Sequence, residues 1–276
     1  MSDVLAAGTR QLAAAGVTTP RVDAELLLAA AAGVPRGRLL SQRSLPGDVL
    51  ERYVAWVARR GNREPVQHIT GTAPFRRIEL AVGPGVFVPR PETELLVDAV
   101  LPHLRALRAP LVFDLCAGTG ALALAIADEV PDATVVAVEA SPAAFAWLIR
   151  NVAGRASVVM VLGDVRDPGV LREYTGRADA VVANPPYVPD DVAVAAEVHA
   201  DPPEAVFAGQ DGMAILPAVA QRAAELLRPG GWFAVEHDET HGAAVEELLA
   251  QDGRWSDVAD HADLAGRPRF ATARRA

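Results

Sequence analysis

Hydrophobic and polar positions fall into three regimes along this chain. From Val4 to about Asn62, Ala- and Leu-rich stretches recur with helical spacing and are broken at Gly16 to Pro20, Gly33 to Pro35 and Leu45 to Gly47. After Pro20, the apolar set Val22, Leu26 and Leu27 stands beside Asp23 and Glu25. That pattern predicts an amphipathic helix with proline in its first turn, where a missing N–H costs little. A small helical bundle is expected. Between Arg63 and Val88 the helical period is lost. Pro65, Gly71, Pro74, Gly83, Pro84 and Gly85 surround short β-like pieces such as Ile78-Glu79-Leu80-Ala81-Val82, which predicts a linker carrying a hairpin. From Pro91 a third pattern begins: Glu92 to Leu107 has helical spacing, and the apolar runs 111–116, 134–139, 157–162, 179–183 and 232–236 are mostly separated by helix-length segments. Strands apolar along their whole length are those covered on both faces. The alternation therefore predicts an α/β domain with a mainly parallel, Rossmann-like sheet, in which ligands lie beyond the carboxyl ends of the strands. The expected division is 1–64 for the helical domain, 65–90 for the hairpin linker and 91–276 for the α/β domain. No fixed-period repeat and no low-complexity tract interrupts it.

Composition narrows the partners. With 276 residues and 51% hydrophobic content, the chain can fill the core of one large domain and a smaller one. Lys+Arg 26 against Asp+Glu 35 gives 26 − 35 = −9, which disfavours a grip on a phosphate backbone as the main source of affinity. The pairs Arg59-Arg60 and Arg76-Arg77 are the places for a local basic patch, although solvated surface charge is the simpler reading of both. Cys116 is the only cysteine, so an intrachain disulfide and a thiolate metal cluster are both excluded. With no run near the ~20 apolar residues that cross a bilayer, a cytoplasmic protein without membrane contact is expected. His199, His237, His241 and His261 lack a ligand spacing such as H-E-x-x-H, and no metal is expected.

Candidate chemistry sits at the strand ends. The segment Val112-Phe113-Asp114-Leu115-Cys116-Ala117-Gly118-Thr119-Gly120 runs from a buried strand into a glycine turn, and a helix start follows at Ala121. Gly118 and Gly120 let a ligand approach the backbone closely. Read alone, Gly118 to Ala123 also satisfies the G-x-G-x-x-A form of dinucleotide enzymes, so a nicotinamide ligand stays open. Glu139 ends the next strand about twenty residues on, where a carboxylate accepts from both ribose hydroxyls. Gly163-Asp164-Val165 ends the third strand; Asp164 is placed to accept from an adenine amino group and Val165 to cover one ring face. Strand, turn and carboxylate together specify an adenosine-like ligand, with Asp114, Cys116, Ala117, Gly118, Thr119, Gly120, Glu139, Asp164 and Val165 as its candidate contacts. After the run 179–183 comes Asn184-Pro185-Pro186-Tyr187, an amide, two rigid prolines and an aromatic ring that suit a planar, weakly nucleophilic nitrogen.

In order and spacing, these segments resemble the class I S-adenosylmethionine-dependent methyltransferases that modify amide or exocyclic amino nitrogens. Arg63-Glu64-Pro65-Val66-Gln67-His68-Ile69-Thr70-Gly71 and Val88-Pro89-Arg90-Pro91-Glu92-Thr93-Glu94 resemble segments of the release-factor glutamine methyltransferase family. The resemblance extends through Pro203-Glu204-Ala205, Gly209-x-Asp211-Gly212 and Arg228-Pro229-Gly230-Gly231. It implies methyl transfer from S-adenosyl-L-methionine to the side-chain nitrogen of the glutamine in the Gly-Gly-Gln tip of class 1 peptide chain release factors. By the same resemblance, the Asn184 side-chain oxygen and the Pro185 carbonyl accept from the glutamine NH₂, and Tyr187 packs on the amide plane. Asn184 also borders the cofactor, Pro186 stiffens the segment, and Arg90 reaches the cofactor carboxylate or the substrate. The catalytic candidates are thus Asn184, Pro185 and Tyr187, and the substrate contacts add Pro186 and Arg90. Catalysis is then chiefly positioning of the nitrogen for in-line attack. The family's first loop usually reads D-x-G-x-G-x-G, and here Cys116 stands at the first glycine. The helical domain resembles the family's substrate-recognition domain, and a monomer is expected.

Other readings share parts of the pattern. A nucleic-acid adenine or cytosine amino methyltransferase uses the same tetrapeptide but has to flip a base and bind a polyanion, which the net charge of −9 disfavours. A ribosomal-protein glutamine methyltransferase differs in its docking surface alone. A non-catalytic module binding S-adenosylmethionine or NAD would have no need of Asn184 to Tyr187.

Overall fold

A computed structural model describes residues 1–42 and 44–276, and Arg43 lies outside the description. The chain forms two compact units, one of residues 1–72, 82–84 and 194–200, the other of 73–81, 85–193 and 201–276.

The first unit is built from α1 (Ser2–Ala14), α2 (Pro20–Ala32), α3 (Gly47–Gly61) and the short α4 (Val66–Thr70). Its core gathers Leu5, Leu12, Leu27, Leu28, Tyr53 and Val57, all nearly inaccessible to solvent. The amphipathic pattern of α2 misses which face is covered: Val22 and Leu26 are exposed, while Asp23 is buried. The reason is a charge partner far along the chain. Buried Arg60 donates to Asp23 at 2.6 Å and to Glu197 at 2.7 Å, and Arg63 donates to Glu197 at 2.8 Å. A buried carboxylate held by a guanidinium replaces the solvent contact that the helical period predicts for it.

The second unit opens with a two-stranded hairpin, β1 (Thr72–Phe75) and β2 (Ile78–Ala81), followed by α5 (Glu94–Arg105). Then come β3 (Leu111–Leu115), α6 (Ala121–Glu129), β4 (Thr134–Glu139), α7 (Pro142–Val152), β5 (Val158–Leu162) and β6 (Ala178–Ala183). The chain continues through α8 (Pro203–Val206), α9 (Leu216–Leu226), β7 (Leu227–Glu236), α10 (Gly242–Asp252), β8 (Trp255–Ala262) and β9 (Pro268–Arg275). The seven-stranded sheet has the order β5-β4-β3-β6-β7-β9-β8. Its first five strands run parallel, and β9 lies antiparallel between β7 and β8. Helix α6 (Ala-Leu-Ala-Leu-Ala-Ile-Ala) is buried over its first seven residues, so apolar residues occupy every side of it.

The five parallel strands fall on the apolar runs read from the sequence. β7 departs from its run by starting at Leu227, so that Arg228-Pro229-Gly230-Gly231 lies inside the strand. The sequence pattern predicts no counterpart of the antiparallel pair β8 and β9. β8 forms the sheet edge and buries only Trp255, so most of its positions are polar or half-covered and no apolar run marks it.

Candidate active site

The sheet order brings the unusual motifs to one edge of the fold. β3 and β6 are neighbours with Leu115 beside Ala183, so Cys116 and Asn184 leave the sheet next to each other. This is where the strand order reverses, the crevice that doubly wound sheets use for ligands. On the far side of β6, Ala183 lies beside Val235, so Glu236 ends β7 next to Asn184.

The turn after β3 is left-handed at Cys116 (φ +66°), Gly118 (+55°) and Gly120 (+84°). A Cβ built on Gly118 meets no atom within 4 Å, so no protein neighbour demands glycine there, and the space above it is open. At Gly120 the same Cβ would stand 2.6 Å from the Leu148 methyl. Cys116 adopts a conformation that costs a non-glycine residue about 1 kcal/mol. Its thiol is pushed up in pKa by burial, and further by Glu139, Asp114 and Asp164 around it, which keeps it from acting as a nucleophile. The turn is tied down by Asn151, whose Nδ2 donates to the carbonyls of Thr119 and Ala81 at 3.0 Å each.

The three carboxylates differ in their engagement. Asp114 is 1% exposed; its Oδ2 accepts from the Ala123 N–H at 3.0 Å, while Oδ1 has no partner. Burial pushes its pKa up to about 8. Glu139 accepts from Gly118 N–H through Oε2 and from Ser141 N–H through Oε1, each at 2.7 Å, and burial raises its pKa. Each oxygen retains a lone pair for a ligand hydroxyl. Asp164 is held by the Arg166 guanidinium, with Nη2 at 2.5 Å from Oδ2, which lowers its pKa. Val165 is buried in the core of this unit.

These features fit S-adenosyl-L-methionine. The orphaned Asp114 oxygen and the free lone pairs of Glu139 offer hydrogen-bond partners to a ligand with hydroxyls, and the open space over Gly118 admits it close to the backbone.

The segment after β6 carries a hydrogen-bonded chain. Asn184 Nδ2 donates to Thr93 Oγ1 at 3.0 Å, Thr93 donates to Glu236 Oε2 at 2.6 Å, and the Tyr187 hydroxyl donates to Glu236 Oε1 at 2.9 Å. Thr93 (3% exposed) and Glu236 (1%) are both buried. Among the described residues no hydrogen bond reaches Asn184 Oδ1 or the Pro185 carbonyl. Burial raises the Tyr187 hydroxyl well above its ordinary pKa, and Glu236 adds to this. Beyond Tyr187 the strand-like exit is braced by Val206 to Gly209: Val188 N–H donates to Val206 and Ala208 N–H to Val188, each at 2.9 Å. Arg90 is held rather than free, with Nη2 donating to buried Asp201 at 2.5 Å and its guanidinium 4.8 Å above the Phe87 ring. Phe75 is a core residue.

The structure brings Asn184 and Tyr187 into one network, and adds Thr93 and Glu236, which sequence reasoning did not select. Both carried a signal. Thr93 lies inside the Val88 to Glu94 segment, and Glu236 closes an apolar run next to the strand that delivers Asn184.

Fold and site together define a Rossmann-like methyltransferase. Residues 3–71 match the family model "PrmC N-terminal domain" and residues 78–201 match "Methyltransferase small domain". The release factor glutamine methyltransferase of Mycolicibacterium smegmatis is 49% identical over 98% of this chain and 95% of its own length. The chain therefore belongs to the release factor glutamine methyltransferase family. A 4-amino-L-phenylalanine/4-methylamino-L-phenylalanine methyltransferase of Streptomyces pristinaespiralis is 40% identical over 93% of this chain and 89% of its own. A 16S rRNA N2 methyltransferase from T. thermophilus, solved with AdoMet and guanosine, superposes with a TM-score of 0.52 at 24% identity, covering 74% of this chain and 50% of that one. The last likeness bears on the fold alone.

Proposed function

We propose that this enzyme transfers a methyl group from S-adenosyl-L-methionine to the side-chain nitrogen of the glutamine in the Gly-Gly-Gln tip of class 1 release factors. The observation that carries the reading is the pairing of an unengaged Asn184 Oδ1 with an unengaged Pro185 carbonyl at the strand end beside the glycine turn. Two acceptors side by side match the two N–H donors of a primary amide. A glutamine nitrogen is a poor nucleophile because its lone pair is delocalised into the carbonyl, so holding both hydrogens and leaving one face open is the main contribution the protein can make. Tyr187, fixed through its hydroxyl, offers a ring to the amide plane. When bound, S-adenosyl-L-methionine supplies the activated methyl. Asp114, Cys116 to Gly120 and Glu139 are the residues that would hold it, with Asp164 at the adenine end and Arg90 toward the carboxylate.

The helical unit is assigned to recognition of the protein substrate. Both basic pairs are consumed within the chain, Arg59 by Glu64, Arg60 by Asp23 and Glu197, Arg76 by Glu129 and Asp98, and Arg77 by Asp128. That disfavours a polyanionic partner. We place the enzyme in the cytoplasm as a monomer; no helix among the described residues is long and apolar enough to cross a membrane. The similarity to a free amino acid's N-methyltransferase favours one rival, an arylamine acceptor. The test is methyl transfer to purified release factor, to the same factor with Gln→Ala in its Gly-Gly-Gln tip, and to 4-amino-L-phenylalanine. Labelling confined to the unmodified factor is expected; labelling that survives the Gln→Ala change, or appears on the free amino acid alone, overturns the assignment. Asn184→Ala is expected to lower kcat roughly 10²-fold with a far smaller change in cofactor Kd.

A further inference from the structure

An asparagine amide has two unlike ends, and only its oxygen can accept from an acceptor's NH₂. Which end faces the site is decided by the groups behind it. Glu236 is buried, and when ionised both its oxygens only accept. The single Thr93 hydroxyl proton is therefore committed to Glu236 Oε2 at 2.6 Å, and the Thr93 oxygen is left with lone pairs. The group that meets it from Asn184 at 3.0 Å must then be the donor Nδ2, which turns Oδ1 away from Thr93. Tyr187 gives its proton to the other Glu236 oxygen at 2.9 Å. One carboxylate thus sets the direction of three hydrogen bonds.

We propose that Glu236, acting through Thr93, is a positioning residue that keeps the oxygen end of the Asn184 amide toward the acceptor nitrogen, and that a proton on Glu236 reverses it. The inference rests on Asn184 being the acceptor clamp. With a proton on Oε2, Glu236 becomes the donor to Thr93, the Thr93 proton swings to Asn184, and the amide must turn its oxygen inward to accept it. The acceptor NH₂ would then face another NH₂. Glu236 is within reach of such a change. Burial pushes its pKa up to about 6, against the hydrogen bonds from Thr93 and Tyr187 and the charge of Arg269 on β9; Glu92, in the turn Pro91–Thr93, adds to the rise. Neighbouring His237 is engaged elsewhere, with Nε2 2.9 Å from Asp260. Because the raised pKa belongs to an acid, the ionised, productive arrangement prevails above about pH 6 and is lost as pH falls through it.

The experiment compares Thr93→Val, Thr93→Ser and Glu236→Gln with the unaltered full chain, on whichever acceptor the latter methylates. It reads kcat, KM, cofactor Kd by calorimetry and Tm. Thr93→Val is expected to lower kcat roughly 10- to 100-fold with cofactor Kd near the original, whereas Thr93→Ser, which keeps the hydroxyl, should restore most of it. The kcat profile of the unaltered enzyme should fall on the acid side near pH 6, and Glu236→Gln should have no such limb. A folded Thr93→Val that binds cofactor and turns over normally overturns the proposal. Should Thr93→Val fail to fold, an unchanged acid limb in Glu236→Gln overturns it instead. Asn184→Ala separates the two readings: full activity there removes the clamp and this inference together, while an inactive Asn184→Ala beside a fully active Thr93→Val removes this inference alone.

Discussion

Asp114 offers a quantitative test of the electrostatics at the glycine turn. Its carboxyl is 1% exposed, receives one backbone hydrogen bond and leaves Oδ1 without a partner, and its pKa stands at about 8 against an ordinary 3.8. Between these two values the folded chain holds a proton that the unfolded chain has released. The unfolded state therefore binds one proton fewer, and stability falls as pH rises, by about 1.4 kcal/mol per pH unit. A carboxamide cannot ionise, so Asp114→Asn removes this slope while leaving every other titrating group in place. At pH 5.5, already above the ordinary carboxyl pKa of 3.8, Asp114→Asn should be the more stable protein by about 2 kcal/mol, shifted by about 1 kcal/mol either way because an amide N–H stands where an unpartnered O–H stood. At pH 7.5, two units higher, Asp114→Asn should have gained about 2.7 kcal/mol more relative to the original than at pH 5.5. Urea unfolding followed by tryptophan fluorescence reads this directly, because Trp147, Trp232 and Trp255 all lie in the unit that contains Asp114. Stability differences that are the same at both pH values would refute the argument, because they would mean that Asp114 is already ionised in the folded protein. A buried, half-satisfied acid is a liability for folding alone, and the proposed role of Asp114 in holding S-adenosyl-L-methionine accounts for its presence.

Three further outcomes follow from the geometry and the charges. Gly118→Ala places a methyl group in space that no protein atom occupies, so stability should drop by only the about 1–2 kcal/mol of a left-handed alanine, while S-adenosyl-L-methionine affinity should fall at least roughly tenfold; calorimetry showing unchanged affinity would remove this turn as the cradle. In the helical unit, Arg60→Met leaves buried Asp23 with only the Thr19 hydroxyl and takes one of two guanidinium partners from Glu197, which should cost about 3–5 kcal/mol, visible as a large drop in Tm. Burial pushes the Glu197 pKa up, but Arg63 and Arg60 outweigh it and hold the group down to about 2, so the stability it contributes is present above its ordinary 4.5 and disappears as pH falls from there toward 2; an acid-unfolding curve identical in Glu197→Gln would contradict this.

What the sequence disclosed and what it concealed divide by the range of the interaction. The strands β3, β4 and β6 and the second half of β7 were legible because both faces are covered, which forces an unbroken apolar run. β5 keeps an apolar run although Val159 and Leu162 are exposed, whereas β8, with one buried residue, leaves no run to read. Asp114, Glu139 and Asn184 were legible as candidates because a strand end and its following turn are adjacent in sequence. The charge assignments failed where the partner is remote: Arg60 reads as solvated, yet its two carboxylates lie 37 and 137 positions away.

Thr93 and Glu236 belong to the same class as Arg60, being 143 positions apart in the chain and 2.6 Å apart in the fold. In the proposed reading, the tetrapeptide Asn184 to Tyr187 encodes which atoms meet an amide nitrogen, but it does not encode which way the Asn184 amide is turned. That direction is a property of proton placement along a chain of hydrogen bonds, and it begins at a buried carboxylate that local spacing has no means of reporting. In that reading the chemistry of the site is local, while its orientation is set by contacts that exist only once β6, β7 and the segment before α5 have been brought together.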